Sequence, residues 1–326
     1  MFTPLEANNR AMSKSLLYSN RSSGTLLTGF SGCITAIVTP FKKGRVDYRK
    51  LLELIDFQIS NGVTGIVLCG TTGEGPTVTD DEKEKIFRVC VKHNRGRVQL
   101  IAGTGSNDTA KTIKQTMMAQ RCGVDAALIV TPYYNKPTQQ GMFLHFTAVA
   151  KAAAESREGK KVHLPIILYN VPGRTGVSLA PETVARLSHI KNIVAIKEAS
   201  GDLKQIARIK KLCNITILSG DDGLTYPILC LGGKGVISVA SNIVPAEVVR
   251  MIDLYNEGNF KEAKNLHLKL QPLFKSLFIE SNPIPVKTAM KMLKMCSDEM
   301  RLPLCAMAKS NADKLKAALK NYGLLA

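Results

Sequence analysis

The chain has 326 residues, 45% hydrophobic and 21% charged, which suits one large α/β domain plus an appendage in a soluble globular protein. No apolar run approaches the roughly 18–20 residues of a membrane-crossing helix; the best candidate, 228–244, is interrupted by Gly232, Gly233 and Lys234. Lys+Arg total 44 against 26 Asp+Glu, giving +18, but the excess is dispersed and there is no Trp, Arg tract or zinc-finger spacing, so the charge suits small anionic substrates better than nucleic acid.

Residues 1–29 differ from the rest. They are rich in Ser and Asn, carry Arg10, Lys14 and Arg21 against Glu6, and lack the apolar core of a secretory signal. The segment weakly resembles an organelle transit peptide. It reads equally well as a disordered extension, or as an over-long start with Met12 as the alternative.

From Gly32 a rhythm begins. Eight short apolar runs rich in β-branched residues occupy 33–38, 65–69, 98–102, 126–130, 165–168, 193–196, 215–218 and 235–239. Helical periods lie between them: Leu51, Leu54, Ile55 and Ile59 in one, Ile86, Val89 and Cys90 in another, the latter opened by the capping-box pattern Thr79 to Glu82. Strands alternating with helices predict βαβ units. Eight of them predict a closed (β/α)8 TIM barrel rather than a doubly wound sheet of five or six strands. After Pro245 only helical pattern remains, and one of those helices must close the barrel. The predicted division is an extension at 1–29, a barrel at 30–255 and a C-terminal helical appendage at 256–326. Lysines along that appendage, among them Lys261, Lys269, Lys287 and Lys316, are expected to form a solvated face. The eight cysteines are scattered, form no C-x-x-C pair and favour a reducing, cytoplasmic setting. The five histidines show no ligand spacing.

In such barrels the chemistry sits where strands end. Here the strand ends carry Gly70-Thr71-Thr72-Gly73-Glu74, Thr131-Pro132-Tyr133-Tyr134, Tyr169-Asn170-Val171-Pro172-Gly173-Arg174, Lys197 and Ser219-Gly220-Asp221. A lysine at the end of a buried strand loses solvation, which favours its free amine and so attack on a carbonyl. Taken alone, Lys197 reads better as a snorkelling side chain paired with Glu198. Tyr169 ends the neighbouring strand and could shuttle protons beside it, or be a core aromatic. Gly70 to Gly73 form either a backbone nest for a carboxylate or a plain β–α turn. Arg174 either grips a second carboxylate or makes a surface salt bridge. Together they describe a site for condensing an α-keto acid with another carboxylate-bearing partner.

GTTGE, TPYYNKP, YNVPGRTG, IKEASGD, SGDD, GVISV and NPIPVK occur in that order. This series resembles the dihydrodipicolinate (4-hydroxy-tetrahydrodipicolinate) synthase family, over Gly29 to the C-terminus. The resemblance implies a class I aldolase that joins pyruvate to L-aspartate 4-semialdehyde, in lysine (diaminopimelate) biosynthesis. It implies Lys197 as the Schiff-base lysine and Tyr169 as proton donor and acceptor, with no metal or organic cofactor required. Thr71 and Tyr134 would complete a hydroxyl relay, with Tyr134 reaching across a tight dimer interface. Thr72, the Ile237 backbone and Gly220 would hold pyruvate, and Arg174 the aldehyde's carboxylate. The family is usually a homotetramer. N-acetylneuraminate lyase and 2-keto-3-deoxy sugar-acid aldolases share the lysine and stay open as alternatives; Gly173-Arg174-Thr175 and Tyr133-Tyr134 discriminate against them. Many members are inhibited by lysine in an interface pocket. Asn107 and Tyr133 match that pocket, but Lys111 stands where a carboxylate is usual and Asp80 where a ring is, which predicts insensitivity to L-lysine.

Overall fold

The computed structural model describes residues 29–154 and 163–326. The targeting reading of the N-terminal extension falls on residues outside these. Ten strands occur among the described residues: β1 (Gly32–Ala36), β2 (Phe41–Lys42), β3 (Arg45–Val46), β4 (Gly65–Leu68), β5 (Gln99–Gly103), β6 (Ala126–Val130), β7 (Ile166–Asn170), β8 (Ile193–Glu198), β9 (Thr216–Ser219) and β10 (Gly235–Ser238). Eight are parallel and close a barrel in the order β1-β10-β9-β8-β7-β6-β5-β4. This is the predicted (β/α)8 fold. The strands read as unbroken apolar runs because both faces are covered. Ile34, Val67, Ile101, Ile167, Ala195 and Ile237 fill the barrel interior, while Ile66, Leu100, Ile129 and Ile196 pack outward with the helices.

β7 and β8 run further than their apolar segments. The ladder continues through Tyr169↔Lys197 and Asn170↔Glu198. Polar side chains do not end a strand whose backbone still finds partners; Gly220 N–H donates to Glu198 O at 2.7 Å and extends the pairing to β9. The β2–β3 hairpin was not foreseen. Its turn, Lys43-Gly44, has both residues in the left-handed region, φ 53° and 74°, as a two-residue hairpin requires.

The helix Asp80–Asn94 starts as its sequence indicates. Thr79 Oγ1 accepts from Glu82 N–H, and the Glu82 carboxylate accepts from Thr79 N–H. Beyond β10, the helix Pro245–Asn256 packs on β1 and on the helix Phe260–Ser276. Two more helices follow, Ile284–Met292 and Lys309–Tyr322. The solvated-face reading fails at one lysine. Lys287 is 0% exposed and forms a 2.6 Å ion pair with Glu74, also fully buried. The Lys287 ammonium also donates to the carbonyl of Thr39 at 3.0 Å and to that of Glu299 at 2.6 Å. Burial pushes its pKa below the ordinary lysine value, and Glu74 opposes that shift. The pair ties the C-terminal helices to the β4 turn, and removing either partner would strand a buried charge.

Candidate active site

A cavity of about 130 Å³ opens at the carboxyl end of the barrel, lined by Thr71, Thr72, Tyr169, Arg174, Lys197, Ala199, Gly220, Asp221, Phe278 and Asn282, with Val171 and Val239. Six of the eight expected catalytic and substrate-binding residues meet here. Lys197 is 6% exposed, and its ammonium lies 4.2 Å from the ring centroid of Tyr169. Strand register sets the pair side by side.

The bland reading of Lys197, a pair with Glu198, does not occur. Successive side chains on a strand face opposite ways, so Lys197 points into the cavity and Glu198 away from it. The buried Glu198 carboxylate accepts from Asn170 Nδ2 at 3.1 Å, Ser200 N–H at 2.8 Å and Gln205 Nε2 at 3.0 Å. Burial raises its pKa, and those donors limit the rise. The network anchors the strand end that carries Lys197.

Gly220 explains itself by space. A Cβ there would stand 2.6 Å from Ala199 Cβ and 3.0 Å from Lys197 Cε. Only glycine leaves room for the lysine stem.

The Gly70–Glu74 turn is braced from below. Glu74 N–H donates to Thr71 O and Gly75 N–H to Gly70 O, each at 3.0 Å. Thr39 Oγ1 donates to Gly73 O at 2.7 Å. Among the described residues, the N–H groups of Thr71, Thr72 and Gly73 donate to nothing in the protein, which suits a nest for an anionic oxygen. Thr72 Oγ1 accepts from Asn282 Nδ2 at 2.9 Å, and the carbonyl of Asn282 accepts from Arg174 at 3.1 Å. Asn282 therefore joins the Thr72 turn to Arg174. Sequence reasoning missed this residue, although the NPIPVK motif contains it. Arg174 meets no acid among the described residues, so its salt-bridge reading is not realised.

Two expected residues do not line the cavity. Ile237 is buried in the barrel interior, and Val239 lines the cavity two residues on. Tyr134 is 88% exposed, with φ 72°, and this chain alone does not bring it to Lys197. Of the four residues read as a regulatory pocket, Asp80, Lys111 and Tyr133 line a second cavity of about 440 Å³ that adjoins the first through Thr71, Tyr169 and Arg174. Asn107 is not in its wall; the Asn107 carbonyl instead accepts from Asn135 Nδ2 at 2.9 Å.

The dihydrodipicolinate synthetase family model matches residues 29–322. The chain belongs to that family. It is 53% identical over 298 residues to a 4-hydroxy-tetrahydrodipicolinate synthase of Geotalea uraniireducens, covering 91% of this chain and 100% of the relative. A dihydrodipicolinate synthase structure from Aquifex aeolicus superposes with a TM-score of 0.86 at 48% identity, over 90% of this chain and 99% of the other. A second structure, described as a monomeric dihydrodipicolinate synthase variant, gives 0.86 at 42% identity over 91% and 98%. Lys197, Tyr169, the Thr71-Thr72 turn and Arg174 thus bring an amine, a phenol, free backbone N–H groups and a guanidinium to one cavity, group types that Schiff-base chemistry on an acidic keto substrate uses.

Proposed function

We propose that the chain condenses pyruvate with L-aspartate 4-semialdehyde to give 4-hydroxy-tetrahydrodipicolinate, a step of lysine biosynthesis. The observation that carries the reading is the buried Lys197 amine, set in register with Tyr169 and facing the Thr71-Thr72 turn. Lys197 Nζ attacks the keto carbon of pyruvate, and loss of water gives the Schiff base. The pyruvate carboxylate sits on the free N–H groups of the Thr71-Thr72 turn and on the Thr72 hydroxyl, which Asn282 orients. Loss of a methyl proton gives the enamine, whose carbon attacks the aldehyde and forms the new C–C bond. The product's own amine then attacks the former keto carbon, closes the ring and releases Lys197. Tyr169 gives and takes the protons of these steps, and Thr71 passes them outward.

Arg174 on the cavity rim, with no acidic partner among the described residues, binds the carboxylate of the semialdehyde. It also favours this substrate over the sugar derivatives used by N-acetylneuraminate lyase and the 2-keto-3-deoxy sugar-acid aldolases. In this reading Tyr134 serves the site of a neighbouring subunit in a homotetramer built as a dimer of dimers, which its exposure supports. The eight free thiols suit a reducing cytoplasm. The test is substrate choice. The enzyme should consume pyruvate with L-aspartate 4-semialdehyde and not with N-acetylmannosamine; the reverse preference would overturn the reading.

A further inference from the structure

The SGDD motif carries two carboxylates, and the fold uses them differently. Asp222 is buried, and its carboxylate accepts from Ser238 Oγ at 2.5 Å, Val239 N–H at 2.9 Å and Ala240 N–H at 3.0 Å. Asp221 lines the catalytic cavity and is the one acid in that wall among the described residues. Its main chain is pinned, since the carbonyl accepts from Ser219 Oγ at 2.6 Å and from Thr225 Oγ1 at 3.2 Å. Oδ1 accepts from Gly223 N–H at 2.7 Å, while Oδ2 meets no donor among the described residues. Arg174 follows β7, Lys197 lies at the end of β8 and Asp221 follows β9, three consecutive strands of the barrel. Cation, amine and anion therefore stand in that order around the rim. Asn282 Oδ1, in the same wall, is buried and accepts from nothing among the described residues.

The steps assigned above leave both acceptors without a task. The second substrate is a zwitterion, with carboxylate and ammonium on one carbon and the aldehyde two carbons away. Arg174 meets the carboxylate, and an ammonium taken out of water needs an anionic partner of its own. We propose that Asp221 is the residue that selects the semialdehyde by its ammonium, with Oδ2 accepting the charged hydrogen bond and Asn282 Oδ1 a neutral one. This assignment rests on the reaction proposed above and adds a second point of recognition to it. Arg174 and Asp221 read the two opposite charges, which leaves the aldehyde to face the enamine on Lys197. Such a pair favours an α-amino acid over an aldehyde that carries a carboxylate alone.

Steady-state kinetics of Asp221→Asn, with the semialdehyde and pyruvate varied in turn, test it. Asparagine keeps an Oδ1 for Gly223 N–H, so the variant should fold, and a thermal melt checks this. Its kcat/KM for L-aspartate 4-semialdehyde should fall by about 10- to 100-fold, the effect of removing one charged partner. The KM for pyruvate and the borohydride-trapped adduct on Lys197 should not change. Succinate semialdehyde, the same aldehyde without the amine, should compete with the substrate equally well in wild type and variant. Efficiency within twofold of wild type would overturn the proposal. So would an equal loss of pyruvate adduct, which would set Asp221 to work on Lys197. Equal weakening of succinate semialdehyde would also overturn it, because the effect would then be one of shape and not of charge. A wild-type enzyme that leaves the semialdehyde unconsumed would instead overturn the assigned reaction, and this assignment with it.

Discussion

Gly220→Ala adds a single methyl group where the structure has no room. The new Cβ would stand 2.6 Å from Ala199 Cβ, 3.0 Å from Lys197 Cε and 3.1 Å from Lys197 Cγ. Carbon atoms prefer about 3.5–4.0 Å, so the overlap is roughly 1 Å with Ala199 and about half to one ångström with the lysine stem. Ala199 cannot swing away, because it is fixed to the backbone beside β8. The lysine stem gives way instead, and its amine moves by a comparable distance. Such overpacking costs about 1–3 kcal/mol of stability, which the protein should survive. The catalytic cost should be larger in proportion, since a 1 Å misplacement of a reacting group is worth on the order of 100-fold. Steady-state kinetics with both substrates, together with a thermal melt, separate the two effects. The expected outcome is a folded protein with kcat/KM down by about 100-fold. A variant that melts normally and keeps kcat/KM within a factor of two would show that the Lys197 stem tolerates the contact and that Gly220 does not position the amine.

Arg174→Ala should lower efficiency with L-aspartate 4-semialdehyde by about 30- to 1,000-fold, the loss of one charged contact of about 2–4 kcal/mol. The pyruvate adduct should persist; equal loss of adduct would reassign Arg174 to pyruvate or to holding Asn282. Tyr134→Phe removes only a hydroxyl and should reduce turnover by about 10- to 1,000-fold if that hydroxyl carries protons in a neighbouring subunit's site. Near-normal turnover would leave Tyr134 as an exposed aromatic of the rim. L-Lysine should not inhibit at millimolar concentration, because Lys83 and Lys111 repel its ammonium and Asp80 is occupied by Gln115 and Lys114. Half-inhibition below about 1 mM, roughly 4 kcal/mol of binding, would contradict this.

The barrel was legible because a parallel strand covered on both faces leaves an uninterrupted apolar run, and eight such runs admit few closures. The rim was legible because polar residues follow those runs directly. Two features escaped detection because their contacts are distant in sequence. Lys287 and Glu74 are separated by 213 residues; each alone reads as a surface charge, and only the fold shows that they neutralise one another. Asn282 escaped in the same way, since its partners Thr72 and Arg174 lie in other loops. Glu198 follows Lys197 directly, and proximity in sequence suggested a pair. Strand geometry sends the two side chains to opposite faces, a rule available from sequence alone once β8 is extended to include them. The β2–β3 hairpin has two residues per strand, too few for any periodicity to register.

The most direct measurement is borohydride reduction in the presence of pyruvate, followed by mass mapping of the modified residue. The Schiff-base assignment predicts one reduced pyruvate adduct per chain, located on Lys197, and none in a folded Lys197→Ala variant that has also lost most turnover. An adduct on another lysine, or turnover that survives Lys197→Ala, would contradict it.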